Sequence, residues 1–298
     1  MREDSTPPTQ PAPELLRHLV PGAIELIQEG FKRATSDSVW QSGDPDLLTT
    51  SRQVHELRLV LGASGAGKTA LAACLLSNLL ENTKDPQPAA WFNFRETAAH
   101  SALRLLCLSS RVPLSRIAAG EVRCKKDIVR IQQNAFSIRD HPVYIEDSRS
   151  LSAGELAARC ERWSGQPHRL RLILIDPLEA LLDTGGNAWG SSPQAREEIA
   201  ETLRLVANEL GALVVCFASV PDKVEEAGCL LSLATLPDSL TSIVEEADLV
   251  AVLEKGVPLS SGGVVSASLH ILKQNYTNHP DVNPLIFRSS LLRFESAE

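Results

Sequence analysis

The residues best suited to chemistry in this chain are eight consecutive ones in its first quarter. Residues 62–69, Gly-Ala-Ser-Gly-Ala-Gly-Lys-Thr, match the pattern G-x-x-x-x-G-K-[ST] at every fixed position. Glycines let the backbone turn so that successive N–H groups point at phosphate oxygens, and the lysine reaches the β- and γ-phosphates. The pattern predicts a nucleoside triphosphate site in which Lys68 is catalytic and Thr69 ligates Mg²⁺. The predicted nucleotide contacts are Gly62, Ser64, Gly65, Ala66, Gly67, Lys68, Thr69 and Ala70.

Two carboxylates follow apolar, strand-favouring runs further along the chain. Asp176 ends the run 170–175, and a carboxylate at the end of a buried strand is typical of a residue that holds Mg²⁺ through water beside a phosphate loop. Glu96 follows the run 90–94, where it could polarise an attacking water. We predict Asp176 as a magnesium ligand, against the alternative of a turn cap before Pro177. Without further information, the position of Glu96 favours the interpretation that it is a solvated loop residue.

The elements that must position these residues are those of an α/β fold. Apolar runs that favour strands alternate with helical stretches, which predicts a mostly parallel central sheet flanked by helices. Beyond the run that precedes the phosphate loop, the predicted strands are 90–94, 143–145, 170–175, 212–217, 249–253 and 268–272. The clearest predicted helices are 69–80 and 194–210. Segments 264–273 and 284–287 are predicted to form a C-terminal β-hairpin at the edge of the sheet.

Composition divides the chain of 298 residues into three parts. Residues 1–13 hold four prolines among Ser, Thr and Gln, and are predicted to be a disordered tail. Residues 14–53 combine amphipathic spacing with a Ser/Asp/Gly-rich stretch, which predicts a helical arm and a linker. Residues 54–298 are the predicted ATPase core.

Charge, cysteines and hydropathy exclude several classes of protein. The formal net charge of −8 gives no general attraction to nucleic acid. The six cysteines are scattered, which predicts neither a zinc site nor a disulfide framework and favours a reducing cytoplasm. No apolar run approaches the roughly 20 residues of a membrane span. We therefore expect a cytoplasmic protein without a membrane partner.

Several ordered stretches resemble the RecA-like ATPase domain of DnaB-type replicative helicases. The resemblance covers roughly residues 55–295 and rests on segments 59–75, 91–98, 173–182, 214–225, 236–253 and 269–275. It implies a RecA-like P-loop NTPase core with ATP and Mg²⁺ as cofactors, and ATP in preference to GTP rests on it alone. It also implies that Glu96 is the catalytic glutamate and that Lys273 acts on the site of a neighbouring subunit. The implied assembly is a homo-oligomer, a hexameric ring, with single-stranded DNA as a partner.

Two loops and one basic cluster are the candidates for nucleic-acid contact. By the resemblance, residues 184–194 and 223–239 would line the channel of a ring. The first carries Trp189 among loop-forming residues, so Trp189 is the predicted base-stacking side chain. The second is poor in basic residues. Helical spacing and interleaved acids favour a solvated face over a DNA site for the basic cluster of Arg116, Arg123, Lys125, Lys126 and Arg130.

Three functions are compatible with these features. The leading one is an ATP-hydrolysing, ring-forming DNA helicase or DNA-dependent motor. The second is an ATP-gated scaffold or helicase-associated adaptor with little hydrolysis, favoured by Ser219 where the family has Gln and by Asn275 where it has Arg. Arg288 or Arg293 could replace that arginine. The third is a small-molecule P-loop kinase, against which the further strands after Asp176 and the lack of an Arg-rich lid argue.

Overall fold

The computed structural model describes residues 14–18, 20–21, 55–82, 87–122, 124–165, 169–220, 232–259, 263–275 and 282–297. The predicted disordered tail, 1–13, residues 19 and 22–53 of the predicted arm and linker, and residue 54 of the predicted core lie outside the described residues. Within the described part, no helix is both long and apolar enough to cross a membrane.

A ten-stranded sheet forms the middle layer of the fold. Its strands are β1 (Glu14–Leu15), β2 (Leu57–Gly62), β3 (Ala89–Asn93), β4 (Val143–Glu146), β6 (Leu172–Asp176), β8 (Leu213–Ser219), β9 (Leu249–Pro258), β10 (Val264–Gln274), β11 (Val282–Arg288) and β12 (Arg293–Ser296). Across the sheet they run in the order β1-β4-β3-β6-β8-β2-β9-β10-β11-β12. A separate parallel pair joins β5 (Leu151–Ser152) to β7 (Leu181–Leu182).

The central strands from β4 to β9 are parallel, whereas both ends of the sheet are antiparallel. β10 pairs with β9 and with β11, and β12 then pairs with β11. The predicted mostly parallel sheet and its C-terminal hairpin edge are therefore confirmed. The carboxyl ends of β2, β3, β6 and β8 meet at one edge of the sheet, which is where ligands bind in such folds.

Helices cover both faces of the sheet. They are α1 (Lys68–Asn82), α2 (Ala98–Ser110), α3 (Leu114–Ala118), α4 (Lys125–Ile138), α5 (Ala153–Trp163), α6 (Pro193–Leu210) and α7 (Thr241–Glu246). Side-chain caps begin three of them: Thr97 accepts a hydrogen bond from His100 N–H, Ser152 forms a capping box with Glu155, and Ser192 begins α6.

Two apolar cores lie on opposite faces of the sheet. Because side chains alternate along a strand, Val60 of β2 faces one core, and Leu59 and Leu61 face the other. The first core packs α1, α2 and α4 against the sheet, and the second packs α5, α6 and α7. This burial fixes the strand ends that carry the predicted site.

The beginning of the predicted helical arm forms a strand instead. Glu14 and Leu15 pair with β4, and the helical residues 16–18 and 20–21 follow. Leu16 and Val20 are buried in the core that contains α1. Pairing with β1 covers the backbone groups that β4 would otherwise expose at the edge of the parallel part of the sheet.

Candidate nucleotide-binding site

The phosphate loop joins β2 to α1 and has a backbone that requires glycine. Gly65 and Gly67 have φ angles of 82° and 100°, in the left-handed region. A Cβ atom on Gly67 would lie 2.9 Å from the ring of Phe294, and one on Gly62 would lie 2.9 Å from the Leu253 carbonyl oxygen. The loop is therefore an open backbone cradle at a helix N-terminus, as a phosphate group requires.

Lys68 begins α1 and folds back over the loop. Its Nζ donates to the carbonyl oxygens of Gly62, at 2.6 Å, and Ala63, at 2.8 Å. These neutral acceptors hold the ammonium where it can exchange them for phosphate oxygens. The cavity above the loop is lined by Ser64, Gly65, Gly67, Lys68, Thr69 and Arg95.

Asp176 lies at the end of β6, beside the phosphate loop, and is fully buried. Neither of its carboxylate oxygens accepts a hydrogen bond. Burial raises the pKa of Asp176, whereas the Thr69 side chain and the charges of Arg95 and Lys68 lower it. A buried carboxylate next to a threonine hydroxyl fits Mg²⁺, which prefers oxygen ligands and phosphates.

The described residues contain no cluster of three or more His, Cys, Asp or Glu side chains that could hold a metal ion. A magnesium ion here would thus depend on Thr69, Asp176 and the phosphates themselves, as in other P-loop sites.

The turn after β3 separates the predicted catalytic glutamate from the cavity. Glu96 forms a bidentate ion pair with Arg104 of α2. The Arg104 Nη2 and, at 3.3 Å, Nε donate to the two carboxylate oxygens of Glu96. Its neighbour Arg95 lines the cavity instead, with Nε 3.6 Å from Oδ1 of Asp176. The base role of Glu96 stays a prediction, and Arg95 is a site residue that the sequence analysis missed. Alternation along a strand does not tell which of two adjacent turn residues faces the loop.

A second missed residue is Glu179, three positions after Asp176. Its Oε1 accepts a hydrogen bond of 2.5 Å from the backbone N–H of Ser219, the last residue of β8. The charge of Glu179 raises the pKa of Asp176. The signal was present in the sequence as an acidic residue in the apolar turn after β6.

Lys273 binds within its own chain. Its Nζ donates to the carbonyl oxygens of Val244 and Glu245, at 2.8 and 2.9 Å, where α7 ends. Burial lowers the pKa of Lys273, and Asp248 nearby opposes that shift. The predicted action of Lys273 on a neighbouring subunit stays a prediction, and it requires the ammonium to leave these carbonyls.

The residues around Lys273 are also held by intrachain contacts. The side chain of Asn275 donates to Asp248 at 2.9 Å, Arg288 pairs with Glu295 at 2.5 Å, and buried Arg293 lies 3.7 Å from Glu81. None of these side chains is free to reach a neighbouring subunit without losing a partner.

Two of the residues considered for nucleic-acid contact, Trp189 and Arg116, are buried. Trp189 is only 2% exposed and packs in the second core, so its predicted stacking role is wrong; its ring fills space under the loop instead. The solvated-face prediction is wrong for Arg116, which is buried and pairs with Asp127 at 3.2 Å. Residues 223–231 of the second predicted loop lie outside the described residues.

Comparison with known proteins finds relatives that are named replicative DNA helicases. The chain is 26% identical over 208 residues to the replicative DNA helicase DnaC of Bacillus subtilis, covering 70% of this chain and 45% of that protein. It is 29% identical over 211 residues to the replicative DNA helicase DnaB of Leifsonia xyli, again covering 70% of this chain and 45% of the relative. The chain thus spans about half the length of the curated relatives it matches.

Solved structures share the fold at low identity. One of them, an isolated ATPase domain, superposes with a TM-score of 0.72 at 18% identity, covering 94% of this chain and 99% of the other. A DnaB-like replicative helicase, from a structure that describes its interactions with primase, gives a TM-score of 0.72 at 17% identity, covering 94% of this chain and 66% of the other. The sequence profile of the DnaB-like helicase C terminal domain matches residues 43–296. The chain therefore belongs to the DnaB-like helicase C-terminal domain family.

Proposed function

We propose that this chain binds ATP with Mg²⁺ and hydrolyses it as the ATPase part of a ring-forming DNA helicase or DNA-dependent motor. Asp176 is the observation that carries this proposal. Its buried carboxylate lies at the strand end beside the phosphate-loop residues Lys68 and Thr69. Burying an ionised carboxylate is unfavourable, and a bound cation offsets that penalty.

Three residues divide the work at the phosphates. Lys68 exchanges two carbonyl oxygens for phosphate oxygens, and the N–H groups of the loop hold the rest of the phosphate chain. Thr69 and Asp176 would hold a magnesium ion. A bound magnesium ion would supply positive charge that offsets the negative charge developing on the phosphates. Glu96 and Lys273 stay predicted participants, each of which must first leave an intrachain partner.

The assembly and partners belong to the same proposal. The relatives are named replicative DNA helicases, and family membership favours a homo-oligomeric, hexameric ring that acts on single-stranded DNA in the cytoplasm. The described surface offers no exposed aromatic platform at Trp189. Contact with DNA would therefore depend on backbone N–H groups and basic side chains.

The test is steady-state ATP turnover of wild type and Lys68→Ala across a series of protein concentrations, with and without single-stranded DNA. We expect Lys68→Ala to lose turnover on the order of 100-fold or more, because a preorganised cation on the phosphates is removed. Lys126→Ala, a change at an exposed lysine of α4, is the matched control and should leave turnover unchanged. Wild-type turnover in the Lys68→Ala variant would contradict the proposal.

An ATP-gated scaffold is the second candidate, favoured by the pairing of Glu96 with Arg104 outside the cavity. The same experiment separates the two functions. Tight binding of ATP without turnover at any concentration, with or without DNA, would indicate the scaffold.

A further inference from the structure

We infer that Arg95, in the turn after β3, recognises the terminal phosphate of the bound nucleotide. This chain would thereby distinguish a triphosphate from a diphosphate. This inference rests on the proposed nucleotide binding and adds a residue to the site. It concerns the binding of the γ-phosphate, and it assigns Arg95 no part in bond cleavage.

The position of Arg95 along the site comes from Asp176. The two side chains are 3.6 Å apart, and Arg95 lines the same cavity as the glycines of the phosphate loop, Lys68 and Thr69. In P-loop sites the residue at the position of Asp176 serves the Mg²⁺ that bridges the β- and γ-phosphates. A guanidinium beside that carboxylate is therefore at the γ-phosphate end of the cavity.

The turn that carries Arg95 is fixed at both ends. At its start, β3 pairs Asn93 with Asp176, and the backbone N–H of Phe94 donates to the Asp176 carbonyl oxygen at 2.9 Å. The buried side chain of Asn93 accepts from the backbone N–H of Arg95 at 3.2 Å. At its end, Thr97 caps α2. Three residues between two fixed points leave little freedom, so Arg95 faces the cavity.

The same turn holds Glu96 away from the cavity. Arg104 pairs with Glu96 on the α2 side, and Glu96 is not among the residues that line the cavity. The charged side chain of this turn that lines the cavity is therefore the arginine, Arg95, and not the carboxylate of Glu96. Arginine suits the task because its planar donors match phosphate oxygens.

The partner of Arg95 would change when the nucleotide arrives. In the described structure, Arg95 is half exposed and lies near the buried carboxylate of Asp176. A magnesium ion held by Asp176 would compete for that negative charge. Arg95 would then be left facing the γ-phosphate, a stronger and more accessible anion.

The experiment measures equilibrium binding by isothermal titration calorimetry, with Mg²⁺, using ADP and the non-hydrolysable triphosphate AMP-PNP. We expect Arg95→Ala to weaken AMP-PNP binding on the order of 10- to 100-fold, the effect of losing a charged hydrogen bond, while ADP affinity stays near that of wild type. Arg95→Lys should lose part of this discrimination, because it keeps the charge and loses the fork. Arg139→Ala is the matched control, since both arginine side chains are 47% exposed and each lies by one Asp.

Every outcome decides between the two proposals. If Lys68→Ala binds both nucleotides as wild type does, the proposed function fails. If Lys68→Ala loses binding but Arg95→Ala keeps the wild-type ratio of ADP to AMP-PNP affinity, only the role of Arg95 is overturned. An equal loss for both nucleotides in Arg95→Ala would also overturn it. Should Arg95→Ala fold poorly by circular dichroism, Arg95→Gln gives the same comparison with the side-chain length largely retained.

Discussion

Arg95 and Glu96 are neighbours in the chain, yet the turn after β3 sends their charges to opposite sides. Arg95 lines the phosphate-loop cavity, where its charge, together with Thr69 and Lys68, lowers the pKa of the buried carboxyl of Asp176. Glu96 neutralises Arg104, which is largely buried on α2. Arg95 and Glu96 therefore each have a partner in the described structure. For Glu96 to take the place of Arg95 in the cavity, both ion pairs would have to open.

Replacing Glu96 tests whether its ion pair opens during catalysis. We expect Glu96→Gln to lower ATP turnover by less than about 10-fold, because the carboxylate lies outside the cavity, whereas losing a general base costs about 10²–10⁴-fold. Turnover at saturating ATP is the measurement, and Glu197→Gln, at an exposed position of α6, is the control. A fall of about 100-fold or more would show that Glu96 leaves Arg104 and acts as the predicted base.

At the scale of elements, Glu179 ties the ends of two strands together. It follows β6 and accepts the backbone N–H of Ser219 at the end of β8, which itself pairs with Gly62 at the start of the phosphate loop. The contact connects the strand that carries Asp176 to the strand beside the loop. The hydrogen bond of Glu179 therefore adds to the pairing of β6 with β8 at the end next to the phosphate loop.

Two substitutions separate the hydrogen bond of Glu179 from its charge. Glu179→Ala leaves the Ser219 N–H without its acceptor, and we expect the free energy of unfolding to fall by about 1–3 kcal/mol. Glu179→Gln keeps an acceptor oxygen and removes a charge that disfavours ionised Asp176, so its stability should be equal to or above that of wild type. Urea unfolding without nucleotide measures both. An alanine variant as stable as the glutamine variant would contradict the role of the hydrogen bond.

The secondary-structure elements that could be predicted from the sequence are those with a clear hydrophobic pattern or a known motif. The parallel strands, the helices at 69–80 and 194–210 and the C-terminal hairpin were found because burial on both faces produces continuous apolar runs. β1 and β12, of two and four residues, are too short for such a period and depend on a partner strand. Trp189 was misassigned because loop-forming neighbours do not reveal that a ring points inward.

At the scale of the molecule, a parallel sheet gathers the site from distant parts of the sequence. The phosphate loop, Arg95, Asp176 and Ser219 follow four different strands and meet at one edge. Lys68, Thr69 and Asp176 could be predicted because their motifs fix residue type and spacing. Arg95 could not, because its direction depends on contacts at both ends of a turn.

Lys273 can be tested only at the scale of the assembly. If it acts on a neighbouring subunit, Lys273→Ala keeps an intact phosphate loop and Lys68→Ala keeps an intact Lys273, so mixing the two inactive proteins should restore turnover. For random assembly, about a quarter of the interfaces would pair a working loop with a working lysine, so about a quarter of wild-type turnover is expected.

The complementation assay mixes the two variants in equal amounts, lets subunits exchange, and measures ATP turnover at a concentration where the protein oligomerises. Release of Lys273 from the carbonyls of Val244 and Glu245 should require little free energy, because neutral acceptors bind an ammonium less strongly than a phosphate does. Mixing Lys68→Ala with Lys126→Ala is the control for inhibition by inactive subunits and should keep about half of wild-type turnover. Subunit exchange is followed separately, by energy transfer between subunits that carry different fluorophores. Failure of the first mixture to exceed its components, with exchange shown, would mean that Lys273 serves the fold of its own chain by ending α7.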